Sequence, residues 1–261
     1  MGQVVIVDVM SDHVLTERTG AVITIRMSRP EKKNALTVDM YRAMTTALRD
    51  ATADVEVRAI MIAGVGGVFT SGNDLRDFAA TPPADADSPV FQFLRELSRC
   101  PKPIVAAVAG LAIGIGTTML LHCDLIVADP ATKFSLPFIN LGLVPEAASS
   151  LLLPRMIGHA RASELLLLGD MFDASAAERY GIINRQSAPG EAETEALVWA
   201  QALAQKAPNA MRLSKALLKS ETHGVMDRIQ EEARSFLPQL HSTEFREALM
   251  AFMEKRAPKF D

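Results

Sequence analysis

The sequence predicts an α/β protein that ends in an all-helical region, and three observations predict it. Short β-branched runs alternate with helix-period segments through roughly the first 190 residues. The charge-free stretch Pro103 to Leu121 is interrupted by Gly110, Gly114 and Gly116. It is long enough to span a bilayer. Its β-branched start and its glycines instead read as a buried strand followed by a helix. Beyond about residue 192 only helical periods remain.

Strands are expected at Val4 to Val9, Ala21 to Arg26, Ala59 to Ala63, Ile104 to Val108 and Leu125 to Ala128. Helices are expected at Val38 to Ala53, with Thr37 as N-cap, and at Pro89 to Arg99, Thr117 to Cys123, Ala147 to Met156 and Ala160 to Leu168. The tail reads as four helices: Ala192 to Ala207, Met211 to Lys219, Gly224 to Phe236 and Thr243 to Arg256. In the last, Phe245, Leu249, Phe252 and Met253 form one apolar face. The tail is thin in bulky apolar residues, so it is expected to dock on the main domain or on another subunit. Ala79 to Pro89, rich in Ala, Pro and Asp, reads as a mobile surface loop. No internal repeat is visible.

Composition excludes several classes. The chain has 261 residues, 49% of them hydrophobic and 22% charged, which rules out a disordered or low-complexity protein. A net charge of -4 offers no basic surplus for nucleic acid or an acidic membrane surface. Two cysteines, Cys100 and Cys123, form neither a disulfide framework nor a zinc pattern, which suits a reducing compartment. The N-terminus lacks the basic and small-residue pattern of a signal peptide and reads as a strand, so the cytoplasm is expected.

Several motifs fail. Gly114-Ile115-Gly116 lacks the third glycine of a dinucleotide fingerprint, and neither a P-loop nor a nucleophile elbow is present. The five histidines (His13, His122, His159, His223, His241) show no metal-ligand spacing. His122-Cys123-Asp124 reads as a helix end leading into a strand, because adjacent helical residues point in different directions.

Three segments carry chemistry: Val68 to Phe78, Ala109 to Thr118 and Leu141 to Ser150. The first two are glycine-rich turns after buried strands. Together they can bring two backbone N–H groups to one point, which makes an oxyanion hole. Singly, each reads as a tight strand-to-helix connection. Glu146 follows Pro145, and a first helical turn favours that order. Its neighbours Leu143, Val144, Ala147 and Ala148 offer no cation, so burial would raise its pKa and suit it to work as a base.

From about Arg29 to Lys219 the chain resembles the crotonase, or enoyl-CoA hydratase/isomerase, superfamily, and within it the Δ3,Δ2-enoyl-CoA isomerase branch. The resemblance rests on five segments in order: Arg29 to Leu36, Ser71-Gly72-Asn73-Asp74-Leu75, Gly114-Ile115-Gly116, Pro145 to Ser150 and Ala207 to Lys215. It implies a crotonase spiral of ββα units with a C-terminal helical region. The core with its acyl-CoA site would span residues 1–195, and a helical oligomerisation region residues 196–261. It further implies Glu146 as the catalytic base and the amides of Asn73 and Ile115 as the oxyanion hole. Lys33, Ala35, Ser71, Gly72, Asp74, Leu75, Thr118 and Phe138 would contact substrate or CoA. Lys32, Lys215 and Lys219 are further candidates for CoA phosphates, although Lys215 and Lys219 read better as a solvated basic face. CoA would arrive on the substrate, with no metal and no other cofactor, and the assembly would be a homotrimer or a dimer of trimers.

The chain departs from the family's hydratases at both of their glutamates. Those positions hold Thr118 and Phe138, while Glu146 stands within a segment similar to PEGxSS. One base suffices to move a double bond from C3 to C2, whereas hydration needs an acid and a base. The resemblance therefore implies an isomerase. The alternatives are an enoyl-CoA hydratase, another crotonase-type acyl-CoA reaction, or a protein that binds acyl-CoA or RNA without turnover; the acidic balance speaks against RNA. Acyl chain length, pathway and a gating role for Ala79 to Pro89 stay open.

Overall fold

The computed structural model describes residues 5–85, 87–219 and 224–260. Val4 at the start of the first expected strand, Ala86 in the loop and His223 lie outside them. The main sheet has seven strands: β1 (Val5–Ser11), β2 (Val14–Thr19), β3 (Val22–Met27), β4 (Ala59–Gly64), β5 (Ile104–Val108), β7 (Leu125–Ala128) and β10 (Arg185–Gln186), side by side in that order. The first three pair antiparallel and the rest parallel. A second sheet orders β6 (Leu111–Ile113), β8 (Lys133–Ser135) and β9 (Phe172–Asp173). The α/β class is as the sequence predicts. Five of these strands were not expected: β2, β6, β8, β9 and β10.

The period of two sorts β4 and β5 between two cores. Ile60, Ile62, Ile104, Ala106 and Val108 face the larger core with α1 (Val38–Ala53). Ala59, Met61, Ala63, Val105 and Ala107 face the smaller one. Thr37 caps α1 by accepting from the Met40 N–H at 3.3 Å. The buried face of α1 carries Met40, Tyr41, Met44 and Leu48, at helical spacing. The short α2 (Leu75–Ala80) precedes α3 (Pro89–Arg99), which packs Phe93, Leu94 and Leu97 into the larger core. The expected loop from Ala79 is therefore helical at its start, and Pro83 within it is buried.

The expected helix Thr117 to Cys123 is α4 (Ile115–Thr118) continued by a 3-10 turn, Met119–His122. The expected Ala147 to Met156 begins two residues later, as α5 (Ser149–Ile157). Ala147 and Ala148 lie in the left-handed region, φ 59° and 57°, which no helical residue adopts. They are followed by α6 (His159–Leu168) and α7 (Ala174–Tyr180).

In the tail, α8 (Ala192–Ala204) covers the other face of the main sheet with Ala192, Ala196 and Ala200, whose methyls let the helix lie close. α9 (Pro208–Leu218) leaves Leu217 and Leu218 exposed. α10 (Val225–Gln239) buries Val225, Ile229, Ala233 and Phe236 in the larger core. α11 (Thr243–Glu254) turns Phe245, Ala248 and Ala251 inward. Its expected apolar face is split, since Phe252 and Met253 are exposed. No helix among the described residues is long and apolar enough to cross a membrane.

Candidate active site

Two loops leave the parallel sheet side by side, one after β4 and one after β5. Backbone bonds pin them together: Phe69 N–H to the Ala109 carbonyl at 2.7 Å, Thr70 N–H to Leu111 at 2.9 Å and Ile113 N–H to Thr70 at 3.2 Å. Gly72 sits at φ 91°, where a Cβ would come 2.8 Å from the Ile113 carbonyl oxygen. Only glycine allows this approach.

Leu36 joins the first loop from its other side. Its N–H donates to the Gly72 carbonyl and its carbonyl accepts from Asp74 N–H, both at 2.8 Å. This parallel bridge uses the two neighbours of Asn73 and turns the Asn73 N–H to the opposite side. Ile115 is the first residue of α4, a position whose N–H has no partner within a helix. The Thr117 and Thr118 N–H groups return to the Gly114 carbonyl instead. Among the described residues, neither the Asn73 amide nor the Ile115 amide donates within the chain.

Asn34 ties the segment from Arg29 to Leu36 against the same loop. It is buried, with φ 55°. Its side chain accepts from Arg29 N–H at 2.8 Å and donates to the carbonyls of Val65 at 2.9 Å and Val68 at 2.6 Å. The Lys33 carbonyl takes the Ser71 N–H, and Arg29 Nη1 reaches the Ala35 carbonyl at 3.2 Å and Asp74 at 2.7 Å. Lys33, Ala35, Ser71, Gly72, Asp74 and Leu75 are thus brought together. The Asp74 carboxylate also caps α2. Burial pushes its pKa up, but Arg29 and two backbone N–H groups outweigh that and hold it below the usual range.

Glu146 lies beside the second loop. It is 4% exposed, and the Thr118 hydroxyl donates to its Oε1 at 3.5 Å. Burial first, and the charge of Glu232 second, push its pKa up to about 8. The first-turn reading of Pro145-Glu146 is corrected here, because the helix starts only at Ser149. The pKa follows from burial, with no helical turn at Glu146 to lower it.

Three neighbours were not read from the sequence as part of the site; of these His122 was read only as a helix end leading into a strand. Tyr41 donates to Asn73 Oδ1 at 2.5 Å, and burial and then Glu146 raise its pKa well above normal, keeping the hydroxyl protonated. His122 Nε2 donates to the Ala147 carbonyl at 2.8 Å. Glu232 accepts from the Ala148 N–H. A hydroxyl on the apolar face of α1, and a carboxylate on the apolar stripe of α10, were the available signals.

Three further candidates are Phe138, Lys215 and Lys219. Phe138 is buried in the larger core, and its carbonyl accepts from Leu143 N–H at 2.8 Å. Lys215 is buried on Asp124 at 2.6 Å and on the Lys102 carbonyl, and Lys219 donates to the His122 carbonyl at 2.9 Å. Both lysines hold the fold. The expected solvated face is thus corrected for Lys215, whose ammonium is satisfied inside the protein. Among the described residues no His, Cys, Asp and Glu group could hold a metal ion.

Comparison with known proteins agrees with this arrangement. The sequence pattern of the enoyl-CoA hydratase/isomerase family matches residues 17–261. "Probable enoyl-CoA hydratase echA8" of Mycobacterium leprae is 34% identical over 95% of this chain and 98% of its own length. "Enoyl-CoA delta isomerase 2" of Rattus norvegicus is 33% identical over 94% of this chain and 64% of its own. The structure of Pseudomonas aeruginosa OdaA superposes with a TM-score of 0.90 at 44% identity, covering 93% of this chain and 99% of that one. With paired loops on a parallel sheet and this breadth of likeness, the chain belongs to the enoyl-CoA hydratase/isomerase family and has the crotonase fold.

Proposed function

We propose that the protein is an enoyl-CoA delta isomerase, converting a 3-enoyl-CoA to the trans-2 isomer with Glu146 as its single base. The observation that carries this reading is the buried Glu146 carboxyl beside the Thr118 hydroxyl, and the resemblance adds that Thr118 and Phe138 stand where the family's hydratases carry their glutamates. Glu232, the other buried carboxylate near it, is committed to Ala148 and Ser150 and supplies no second acid. Glu146 takes a proton from C2. The C2–H electrons move into the π system, leaving a dienolate with its charge on the thioester oxygen. The same carboxyl returns the proton to C4, and the double bond ends between C2 and C3. The Asn73 and Ile115 amides stabilise the oxygen as charge develops. Tyr41 fixes Asn73 through its side-chain amide.

In this reading Lys33, Ala35, Ser71, Gly72, Asp74, Leu75, Thr118 and Phe138 form the surroundings of the acyl-CoA, and no cofactor is needed beyond the CoA it carries. The cytoplasm is the proposed compartment, and a homotrimer or a dimer of trimers the proposed assembly. Exposed apolar side chains on α6, α9 and α11, among them Leu167, Leu218 and Phe252, support an assembly that covers them.

The test is turnover of a trans-3-enoyl-CoA by the wild type and Glu146→Gln, with water addition to a trans-2-enoyl-CoA measured alongside. Isomerisation should dominate, rise with pH through about 8 and vanish in Glu146→Gln while CoA binding persists. Isomerisation by the variant at the wild-type rate, or hydration alone, would overturn the proposal.

A further inference from the structure

Glu146 sits at the entrance to a strained corner. Ala147 and Ala148 both occupy the left-handed region, which costs a non-glycine residue about 1–2 kcal/mol. The sequence pattern similar to this segment carries glycine at the first of these two positions. Something must hold the corner, and the structure shows what does. The peptide plane between Ala147 and Ala148 is gripped on both edges. Its carbonyl accepts from His122 Nε2, and its N–H donates to Glu232 Oε2 at 2.6 Å. Burial pushes the His122 pKa down to about 4, so the ring is neutral and Nε2 carries the proton it donates. The other oxygen of Glu232 accepts from the Ser150 N–H at 3.0 Å and from the Ser150 hydroxyl at 2.6 Å.

We propose that Glu232, on helix α10, is the positioning residue of the Glu146 base: it holds the Ala147–Ala148 peptide from one edge, and its negative charge acts on the Glu146 carboxyl. This rests on the isomerase reading of Glu146. Three donors favour the anion of Glu232, whereas Glu146 has one long contact from Thr118. A proton shared by the two carboxyls therefore resides on Glu146. The base is thus kept where it can both take and return a proton.

The other titratable groups set against this pair come from every neighbouring element. Tyr41 of α1 feels the charge of Glu146. His122 holds the shared peptide from the 3-10 turn. Arg228, one turn earlier on α10, donates to the Ser150 hydroxyl at 3.3 Å and pairs with Glu231. Arg99 of α3 and Lys219 line a cavity of about 270 Å³ with His122 and Val225. Burial raises the Glu232 pKa to about 7 against the pull of its Ser150 and Ala148 donors and of Arg228, burial and then Lys219 lower that of His122, and the contribution that raises Glu146 after burial is Glu232 itself.

The experiment follows the side-chain carboxyls of 13C-labelled glutamate by NMR through a pH titration, in wild type, Glu232→Gln and Glu146→Gln. Glu146 should titrate about one pH unit lower in Glu232→Gln. In Glu146→Gln, a variant expected to fold even if Glu232→Gln does not, Glu232 should keep its wild-type titration, because Glu146 is still neutral when Glu232 ionises; a fall there would mean that Glu232 holds the shared proton and would overturn the proposal. In Glu232→Gln the acid limb of the kcat profile should shift with the Glu146 titration, and kcat should fall by up to about tenfold at little cost in KM. A purely structural Glu232 would lower Tm and leave the Glu146 titration and the pH profile in place, and that result would overturn the proposal. The NMR arm needs no turnover. A wild type that fails to isomerise refutes the isomerase reading, and an unmoved Glu146 titration in Glu232→Gln refutes the coupling.

Discussion

Replacing Glu146 with glutamine should stabilise the protein as pH rises, in the same variant that abolishes turnover. The native carboxyl titrates at about 8 against an ordinary 4.5, with burial as the first cause. A raised acid pKa means that the folded chain keeps a proton which the unfolded chain has released. Stability therefore falls as pH rises from the unfolded value and levels off beyond the folded one. Each pH unit inside that window costs about 1.4 kcal/mol. The native burden from Glu146 is then about 1 kcal/mol at pH 5 and about 4 kcal/mol at pH 8. Glutamine has nearly the same volume and does not ionise, so its advantage over the wild type should widen across that interval. His122 and Glu232 also tilt the wild-type curve, but both proteins contain them and they cancel to first order. Urea unfolding at pH 5, 6, 7 and 8 gives the difference directly. A difference that stays flat with pH would refute the claim that Glu146 is desolvated, and with it the argument for its strength as a base.

Other substitutions test the supports of the site. Gly72→Ala should reduce kcat/KM by about 100-fold or more, because the Cβ meets the Ile113 carbonyl at 2.8 Å and displaces the Asn73 amide; full activity would show that the amide is not used. Asn34→Ala should destabilise by about 2–4 kcal/mol in urea, since it strips partners from Arg29 N–H and from the Val65 and Val68 carbonyls. Ala147→Gly should gain on the order of 0.5–1 kcal/mol, the left-handed penalty less the added chain entropy. A loss of stability there would show that the buried methyl outweighs the strain.

Where local pattern decided an element, the sequence was readable. α1 carries its cap and its apolar face within one window, and β4 and β5 are apolar on both faces because two cores flank them. The strands that went unread are of two kinds. β6, β8, β9 and β10 are two or three residues long, too short for a period to show. β2, Val-Leu-Thr-Glu-Arg-Thr, is polar along its second half and is defined by its neighbours β1 and β3.

The candidate site divides in the same way. Glu146 was singled out by its proline and its apolar neighbours, whereas Asn73, Ile115 and Thr118 came from the resemblance to the enoyl-CoA hydratase/isomerase family. The tertiary structure alone decided that Pro145-Glu146 leads into a left-handed corner instead of a helix. An isolated Ala-Ala prefers the right-handed helix, and His122 and Glu232, the latter 84 residues beyond Ala148, grip the peptide in the other conformation. Tyr41 on Asn73, Lys215 on Asp124 and Glu232 on Ala148 are likewise bonds between distant segments. By itself the sequence determined which side chains are apolar, where the chain can turn and which residue types are available for chemistry. Only the packed chain decided which of those groups lose water and which charges act on one another, because desolvation and Coulomb interaction depend on distance in space and not along the chain.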